Sequence, residues 1–255
     1  MVFQHVPREE LPSDMKQYWL LSKEERFQLT HLTATYQDTM MTLAEKEPGK
    51  PVRLTLQDAP LSMDDYMKLL DDVLHLCVRF AKAVPEFQRL QQADQIAVLK
   101  ASSLPCYGIA ASSMFIPERE KWMSQFGQVG REHFPPSLYS QAFLGDVLEF
   151  SRNLKAIAKN EVSVYALLHC IVLFDPRESS IENRQLVNAL RDKYVILLKH
   201  HLESQYSYLH ADRYFSALTD IVVRIRILGE WGRSFYAQIA EGNFKPLSAE
   251  IFSPD

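Results

Sequence analysis

Two pairs of adjacent aspartates, Asp64-Asp65 and Asp71-Asp72, have the residue type and spacing of a metal site. Carboxylates on one face of a helix can hold Mg²⁺ against a diphosphate, and one aspartate of each pair falls on a common face. Asp64-Asp65 also follows Ser62 at a predicted helix start, where a hydroxyl cap and acidic side chains are favourable. Lys68 lies between the pairs and would neutralise one of them. We therefore predict capping and solvent-exposed roles for these aspartates.

The other residues that could support catalysis are isolated from one another. His200-His201 have no second pair of ligands at metal spacing, and we expect both on the surface. Cys77, Cys106 and Cys170 lie in apolar runs without a catalytic motif, as buried structural thiols do. We predict no catalytic residue, no metal site and no cofactor. The alternative is an α-helical, Mg²⁺-dependent isoprenoid enzyme that uses the aspartate pairs.

The composition is that of a globular protein with a sizeable core. Of 255 residues, 47% are hydrophobic and 24% are charged, and the net charge of −4 gives no broad reason to expect nucleic-acid binding. Three cysteines without a CxxC pair favour reduced thiols in an intracellular compartment. No apolar run has the length of a membrane span, and the first residues lack the build of a signal peptide.

The elements that must position these residues are helices. Ser22 and Glu25 form a predicted capping box, and apolar residues at helical spacing follow from Ser62 to Lys82. Pro105 implies a kink or a restart in the next helix, and a short β-hairpin is expected within residues 114–136. We predict one all-α domain over residues 1–255, with helices near 62–83, 91–107, 138–157, 161–173, 181–205 and 208–240.

Two separate motifs carry a resemblance to a known family. The run Phe80-Ala-Lys-Ala-Val-Pro-Glu-Phe, followed by Asp94-Gln-Ile-Ala-Val-Leu-Lys, resembles the signature that joins three consecutive helices of nuclear receptor ligand-binding domains. Pro246-Leu-Ser-Ala-Glu-Ile-Phe resembles their C-terminal activation helix, and Trp122 and Asp175-Pro-Arg match further positions. The segment order is similar to the branch of the vitamin D receptor, the xenobiotic receptors and the insect hormone-receptor-96 type. It is most similar to a nematode dauer-type receptor, whose ligands are bile-acid-like steroids.

The resemblance implies a fold, a location and a docking surface. The fold is a three-layer antiparallel sandwich of about 10–12 helices, and the location is the nucleus. A coactivator LxxLL helix would lie in an apolar groove, with Lys82 at its C-terminal carbonyls and Glu250 at its N-terminal amides. The implied coactivator-binding residues are Lys82, Val78, Gln95, Ile96, Leu99, Lys100, Leu247, Glu250 and Ile251.

The resemblance also implies a pocket for a lipophilic, steroid-like ligand. Vitamin D receptors carry an Arg, a Glu and a His where this chain has Ala110, Pro105 and Gly232, so vitamin D itself is not expected as the ligand. Arg226 or Arg233 would supply a cation for an acidic steroid, or would face solvent. The implied ligand-binding residues are Leu69, Val73, Leu76, Cys77, Ser103, Tyr107, Ala110, Trp122, Tyr139, Phe143, Leu228 and Trp231.

The long helix near 208–240 is expected to carry a partner-binding face. Leu218, Ile221 and Leu228 share one side of it and would pack inward, which leaves another face open. The resemblance implies a heterodimer with the retinoid X receptor, and a homodimer is the competing interpretation. Direct nucleic-acid contact and membrane binding are not expected. A ligand-independent, receptor-like scaffold with a pocket filled by side chains remains a further alternative.

Overall fold

Helices dominate the computed structural model, which describes residues 21–40, 60–124, 127–134, 141–239 and 246–252. The described part contains nine α-helices, one 3₁₀ helix and three short strands. In chain order they are α1 (Lys23–Met40), α2 (Met63–Ala83), α3 (Pro85–Gln88), α4 (Gln92–Ser113), β1 (Phe115–Ile116), β2 (Lys121–Ser124), β3 (Gly127–Val129), the 3₁₀ helix (Arg131–His133), α5 (Gln141–Ala158), α6 (Val162–Leu173), α7 (Arg184–Gln205), α8 (Tyr208–Ile239) and α9 (Pro246–Phe252).

The helices stack in three layers, as predicted. Helices α1 and α2 form one outer layer, α4, α6 and α7 form the middle, and α5 and α8 form the other outer layer. The C-terminal helix α9 packs against α2, α4 and α8. Because the middle layer is covered on both sides, α6 is buried along nearly its whole length. None of the described helices has the length and apolarity to cross a bilayer.

The helix starts follow the capping signals in the sequence. The backbone N–H of Glu25 donates to Ser22 Oγ at 3.1 Å, and the N–H of Ser22 donates back to Glu25 Oε2 at 2.8 Å. Ser62 Oγ likewise accepts from the N–H of Asp65 at 3.1 Å. Both predicted caps are confirmed. The Arg79 guanidinium donates to the Thr39 carbonyl at 2.8 Å and so satisfies the end of α1.

The expected hairpin is present, with one strand more than predicted. Strand β2 pairs antiparallel with β1 on one side and with β3 on the other. Trp122 is the residue that faces a partner on both sides, Phe115 in β1 and Val129 in β3. The three-stranded sheet therefore holds the Trp122 ring, which is buried, in a fixed position.

Helix α4 continues through Pro105 without a restart. Proline has no N–H to donate to the carbonyl four residues earlier, which is that of Ala101. The Arg233 guanidinium from α8 takes this role, since it donates to the Ala101 carbonyl at 3.1 Å and to the Lys100 carbonyl at 2.7 Å. A tertiary contact therefore compensates for the lost helical hydrogen bond.

Two acidic residues of the sequence signature anchor α7 to the rest of the fold. The buried Asp94 carboxylate accepts from the backbone N–H groups of Glu182 at 2.7 Å and Asn183 at 3.2 Å, directly before α7 begins. Glu86 accepts from Lys193 Nζ at 2.5 Å and from the Tyr194 hydroxyl at 2.8 Å. Burial alone would raise the pKa of Glu86, but these two hydrogen bonds lower it below its usual range. The motif residues Glu86 and Asp94 thus also hold α7 against the rest of the fold.

A histidine in the core predicts how stability depends on pH. His169 is fully buried against the Tyr36 and Phe80 rings, and burial lowers its pKa to about 3. The unfolded chain binds this proton near pH 6.5, so His169 favours folding above that pH and opposes it as the pH falls toward 3. We expect about 2 kcal/mol less stability at pH 5 than at pH 7 from this residue alone.

The measurement is urea unfolding at several pH values between 5 and 7. His169→Phe should remove this part of the pH dependence, while His31→Phe, on an exposed position of α1, should retain it. An unchanged pH slope in His169→Phe would contradict the assignment.

Candidate functional site

A cavity lies between α2, α4, α5, α8 and the sheet. Its volume is about 100 Å³, several times the roughly 10–15 Å³ that one water molecule needs. Aliphatic and aromatic side chains make up most of its wall. The lining residues are Tyr66, Leu69, Val73, Leu104, Tyr107, Gly108, Ala111, Met114, Trp122, Met123, Ser124, Val129, Phe134, Phe143, Leu144, Val147, Phe150, Ser151, Ile225, Leu228, Gly229, Gly232 and Tyr236.

Three tyrosines form one polar group in the cavity wall. The hydroxyls of Tyr66 on α2 and Tyr236 on α8 are hydrogen-bonded to each other, which ties the two helices together. Tyr107 from α4 lines the same cavity, and no described side chain hydrogen-bonds to its hydroxyl. Burial, with a smaller contribution from Tyr236, raises the pKa of Tyr107 far above its usual range. Its hydroxyl is therefore protonated and can donate a hydrogen bond.

A second polar group surrounds Ser151. Its Oγ accepts from Trp122 Nε1 at 3.2 Å and lies within hydrogen-bond distance of Ser112 Oγ, at 3.1 Å. Because the single proton of Ser112 is donated to the Gly108 carbonyl at 2.8 Å, the Ser151 hydroxyl can donate to Ser112 Oγ. The Phe134 ring stands between the two groups, with its centroid 5.9 Å from the Tyr66 ring and 5.8 Å from the Trp122 ring. The cavity wall thus contains two groups of hydroxyls, and the Phe134 ring contacts an aromatic ring of each group.

The described cavity wall contains no charged side chain. Arg233 is engaged with the α4 carbonyls described above. Arg226 lies with its Nε 3.0 Å from Asp175 Oδ2, where Arg177 also pairs. Neither arginine lines the cavity, so the expectation that one of them serves an acidic ligand is corrected. Both hold the fold together.

Six of the predicted ligand-binding residues line the cavity: Leu69, Val73, Tyr107, Trp122, Phe143 and Leu228. Five others do not. Leu76, Cys77 and Ala110 pack in the main core, and Cys77 and Ser103 border a smaller pocket. Trp231 is 55% exposed on the outer face of α8, so its predicted place in the pocket is wrong. Tyr139 lies outside the described residues.

The errors on α4 and α8 share one cause. The cavity-facing stripe of α4 runs through Leu104, Tyr107 and Ala111, whereas Ser103 and Ala110 each lie one residue to the side of it. On α8 the stripe runs through Ile225, Leu228 and Gly232, and Trp231 falls next to it. Steps of three and four from Tyr107 and Leu228 would have found the missing residues. Sequence periodicity gives the stripe but does not give its rotation toward a cavity.

Helix α9 is seated close to the cavity. Ile251 is only 6% exposed and packs in one apolar cluster with Leu70 and Leu74 of α2. The same cluster contains five residues that line the cavity: Tyr66, Leu69, Leu104, Val129 and Tyr236. Cys77, Ser103 and Ile251 border a small pocket beneath α9. The surface against which α9 packs and the cavity wall therefore belong to one hydrophobic cluster.

The predicted coactivator-binding residues lie on α2, α4 and α9, three helices that pack against one another. Lys82 is exposed in the last turn of α2, and Glu250 is exposed on α9. On α4, Ile96 is 43% exposed, while Leu99, Val78 on α2 and Leu247 on α9 are partly buried. Gln95 Nε2 donates to the Phe87 and Leu90 carbonyls, which fixes the turn after α3, and Lys100 is partly buried on α4.

The residues considered for metal binding have ordinary structural roles. Lys68 Nζ lies 2.6 Å from Asp64 Oδ2 and 3.7 Å from Asp65 Oδ1 on the surface of α2. Within the described ranges no three His, Cys, Asp or Glu residues could hold a metal ion together. His201 corrects one expectation, because it is buried, with its Nε2 2.5 Å from Glu161 Oε1.

The three cysteines are free and buried, as predicted. Burial raises the pKa of Cys106 to about 12 and raises the pKa of the other two thiols well above their usual range. These thiols are therefore uncharged and poor nucleophiles at neutral pH.

Comparison with known proteins places most of the chain in one family. The model for the ligand-binding domain of nuclear hormone receptor matches residues 56–233. Nuclear receptor subfamily 1 group I member 3 of Mus musculus is 25% identical over 178 residues, which is 69% of this chain and 49% of that protein. Nuclear hormone receptor E75 of Metapenaeus ensis is 26% identical over 62% of this chain and 27% of its own length.

A third relative is similar to the same degree. Nuclear receptor subfamily 1 group I member 2 of Rattus norvegicus is 24% identical over 69% of this chain and 41% of its own length. The matched part thus spans half or less of the length of these relatives.

Glycines at the contact between α4 and α8 generate a stability prediction. A Cβ added at Gly229 would lie 2.7 Å from both Cδ and Cγ of Pro105, whose ring cannot move aside easily. We expect Gly229→Ala to destabilise the protein by about 1–3 kcal/mol through overpacking. Gly145→Ala on α5 is the matched control, since nothing lies within 4 Å of its added Cβ.

Gly145→Ala should be neutral or slightly stabilising because alanine favours helix more than glycine does. The measurement is the free energy of unfolding of both variants from chemical denaturation. Equal stability of the two would show that α8 can shift away from Pro105.

Proposed function

The chain belongs to the ligand-binding domains of nuclear hormone receptors, and we propose that it is the ligand-controlled switch of a transcription factor that acts in the nucleus. In this function a lipophilic molecule occupies the cavity, helix α9 docks, and a coactivator binds beside it. The observation that carries the proposal is the single apolar cluster in which cavity-lining residues and Ile251 of α9 pack together.

Physical coupling between the cavity and α9 follows from this cluster. A ligand that contacts Tyr66, Leu69 or Tyr236 also adds contacts to the surface on which Ile251 rests. Such a ligand binds the docked form better than the undocked form, and only this difference in affinity can shift the population toward docking.

The coactivator is proposed to be a short LxxLL helix between Lys82 and Glu250. Ile96, Leu99 and Val78 would contact its leucines, because an amphipathic helix buries its apolar face in such a groove. The Lys82 ammonium would meet the C-terminal carbonyls of the peptide, and the Glu250 carboxylate its N-terminal amides. Gln95, Lys100, Leu247 and Ile251 would complete the surface.

The alternatives have less support. An isoprenoid enzyme would need its aspartates to hold Mg²⁺, yet Lys68 pairs with Asp64 and Asp65, and the matched family consists of receptors. A ligand-independent scaffold would need side chains that fill the pocket. The cavity has a volume of about 100 Å³, below the roughly 300–1,000 Å³ of pockets that hold drug-sized ligands, so a sterol-sized ligand requires its lining side chains to move outward.

Titration of a fluorescent LxxLL peptide tests the charge clamp, which is the pair Lys82 and Glu250 at the two ends of the peptide helix. We expect Lys82→Ala and Glu250→Ala each to lower peptide affinity about fivefold, since a charge at a helix end contributes roughly 1 kcal/mol. Each loss should shrink as the salt concentration rises. Lys199→Ala is the matched control, because Lys199 is an exposed lysine on α7, outside this surface. Unchanged affinity in both clamp variants would exclude this docking mode.

The proposed protein partner is the retinoid X receptor, with α8 as the contact helix. Leu218 and Ile221 are buried, as predicted, and Leu228 is partly buried at the cavity. Val223, Ile227 and Trp231 recur at steps of four on the opposite side and are 50%, 45% and 55% exposed. An apolar stripe of this kind along one helix is typical of a face that binds another protein.

Sedimentation with the purified retinoid X receptor domain tests this surface. Trp231→Arg should weaken the heterodimer at least about tenfold, because truncating or charging a central aromatic anchor costs roughly 2 kcal/mol or more. Phe27→Arg on α1 is the control, since Phe27 is equally apolar and 75% exposed but lies on another helix. Self-association of this chain alone, lost in Trp231→Arg, would favour a homodimer instead.

A further inference from the structure

We propose that Arg233 is a positioning residue for coactivator binding. It lies on α8, whereas the proposed coactivator surface is formed by α2, α4 and α9. This role rests on the proposed function and adds to it a residue that acts through α4 and does not touch the peptide.

Helix α4 has two parts with different tasks, and they meet close to Pro105. Ile96 and Leu99 lie in the first part and belong to the proposed coactivator surface, while Tyr107 lies in the second part and lines the cavity. A proline inside a helix favours bending, because it lacks an N–H and its ring presses on the carbonyl four residues earlier. The direction of the first part is therefore only weakly fixed by α4 itself.

Arg233 supplies the restraint that α4 lacks. Its Nη2 donates to the Lys100 carbonyl at 2.7 Å and to the Ala101 carbonyl at 3.1 Å. The Ala101 carbonyl is the acceptor that loses its helical partner at Pro105, and Lys100 belongs to the proposed coactivator surface. Hydrogen bonds from a charged donor are roughly twice as strong as neutral ones. The guanidinium therefore holds the end of the first part of α4 toward α8.

Helix α8 is packed tightly against α4 within one turn of Arg233. A Cβ added at Gly229 would lie 2.7 Å from the Pro105 ring, and a Cβ added at Gly232 would lie 3.2 Å from Leu104 Cδ1. These contacts do not involve the guanidinium. Removing it would therefore keep the two helices together and would release only the carbonyls that it holds.

The proposed coactivator surface is sensitive to the direction of α4. Ile96 and Leu99 would contact the peptide from this helix, while Val78 would contact it from α2. A gap of about 0.5–1 Å already forfeits a quarter to a half of the dispersion energy of a contact. A shift of that size at Leu99 would weaken peptide binding, although every residue that touches the peptide is still present.

Titration of the fluorescent LxxLL peptide into Arg233→Met tests this role, since methionine keeps an apolar side chain and removes the guanidinium. We expect about fivefold lower peptide affinity, which is within the range by which residues outside a binding site alter it. The loss should not change with salt concentration, because it comes from apolar contacts. In this it differs from the losses at Lys82 and Glu250, which come from charge.

Arg224→Met is the matched control. Arg224 is another arginine of α8 with a tertiary partner, since its Nη2 lies 2.9 Å from Glu149 Oε1 on α5. We expect its replacement to leave peptide affinity unchanged.

Repair of α4 provides the sharpest test. Pro105→Ala restores an N–H that can donate to the Ala101 carbonyl within the helix, so Arg233 should become dispensable. In this background Arg233→Met should lower peptide affinity less than about twofold. If Arg233→Met alone is too unstable to titrate, Arg233→Lys replaces it, because lysine keeps the charge and loses the guanidinium fork. It should lower affinity about twofold, and Pro105→Ala should remove that loss too.

The outcomes separate this role from the proposed function. Unchanged affinity in Arg233→Met, or the same fivefold loss in the Pro105→Ala background, would overturn the role and leave coactivator binding intact. A loss that shrinks as the salt concentration rises would indicate a direct charge contact with the peptide and would also overturn it. Absence of peptide binding in the unaltered chain would overturn the coactivator function and this role with it.

Discussion

The close approach of α8 to α4 is the contact on which the site depends. Gly229 lies against the Pro105 ring, so a side chain larger than hydrogen there would hold the helices apart. A Cβ at Gly108 would meet the end of the Ile225 side chain at 2.3 Å, and that side chain would have to turn toward the cavity. The approach brings Arg233 to the carbonyl that Pro105 leaves unsatisfied. The same small residues leave space beside the contact, since both glycines line the cavity. Tight packing and an open pocket thus arise from one feature.

The proposed switch depends on the direct packing of cavity-lining residues against α9. The Tyr66–Tyr236 hydrogen bond ties α2 to α8 at the cavity wall, and Ile251 packs in the same cluster. Packed cores change between discrete arrangements rather than deforming continuously. A ligand that fills the cavity can therefore influence a helix that it never touches. In the proposed function, Glu250 would contact the coactivator only when α9 is docked.

Some polar groups in the interior are satisfied within their own helix, and the described wall of the pocket carries hydroxyls and no charged side chain. Ser102 and Ser112 on α4 donate to carbonyls of their own helix at 2.6 and 2.8 Å, so burying them costs little. The buried charge of Asp94 has two backbone N–H partners before α7. The described cavity wall offers no carboxylate to a cation, and Arg226 and Arg233 are bound elsewhere.

The sequence alone determined most of the long-helix boundaries, though not the end of α4 beyond Pro105, as well as the caps at Ser22 and Ser62 and the motif pattern that identified the family. These depend on neighbours a few residues apart, which the chain itself specifies. Only the tertiary structure decided that Leu104 rather than Ser103 faces the cavity, that Trp231 faces outward, and that Arg233 serves Pro105 instead of a ligand. The physical reason is that periodicity defines an apolar stripe, whereas the rotation of a helix and the partner of a long side chain depend on contacts between segments far apart in sequence.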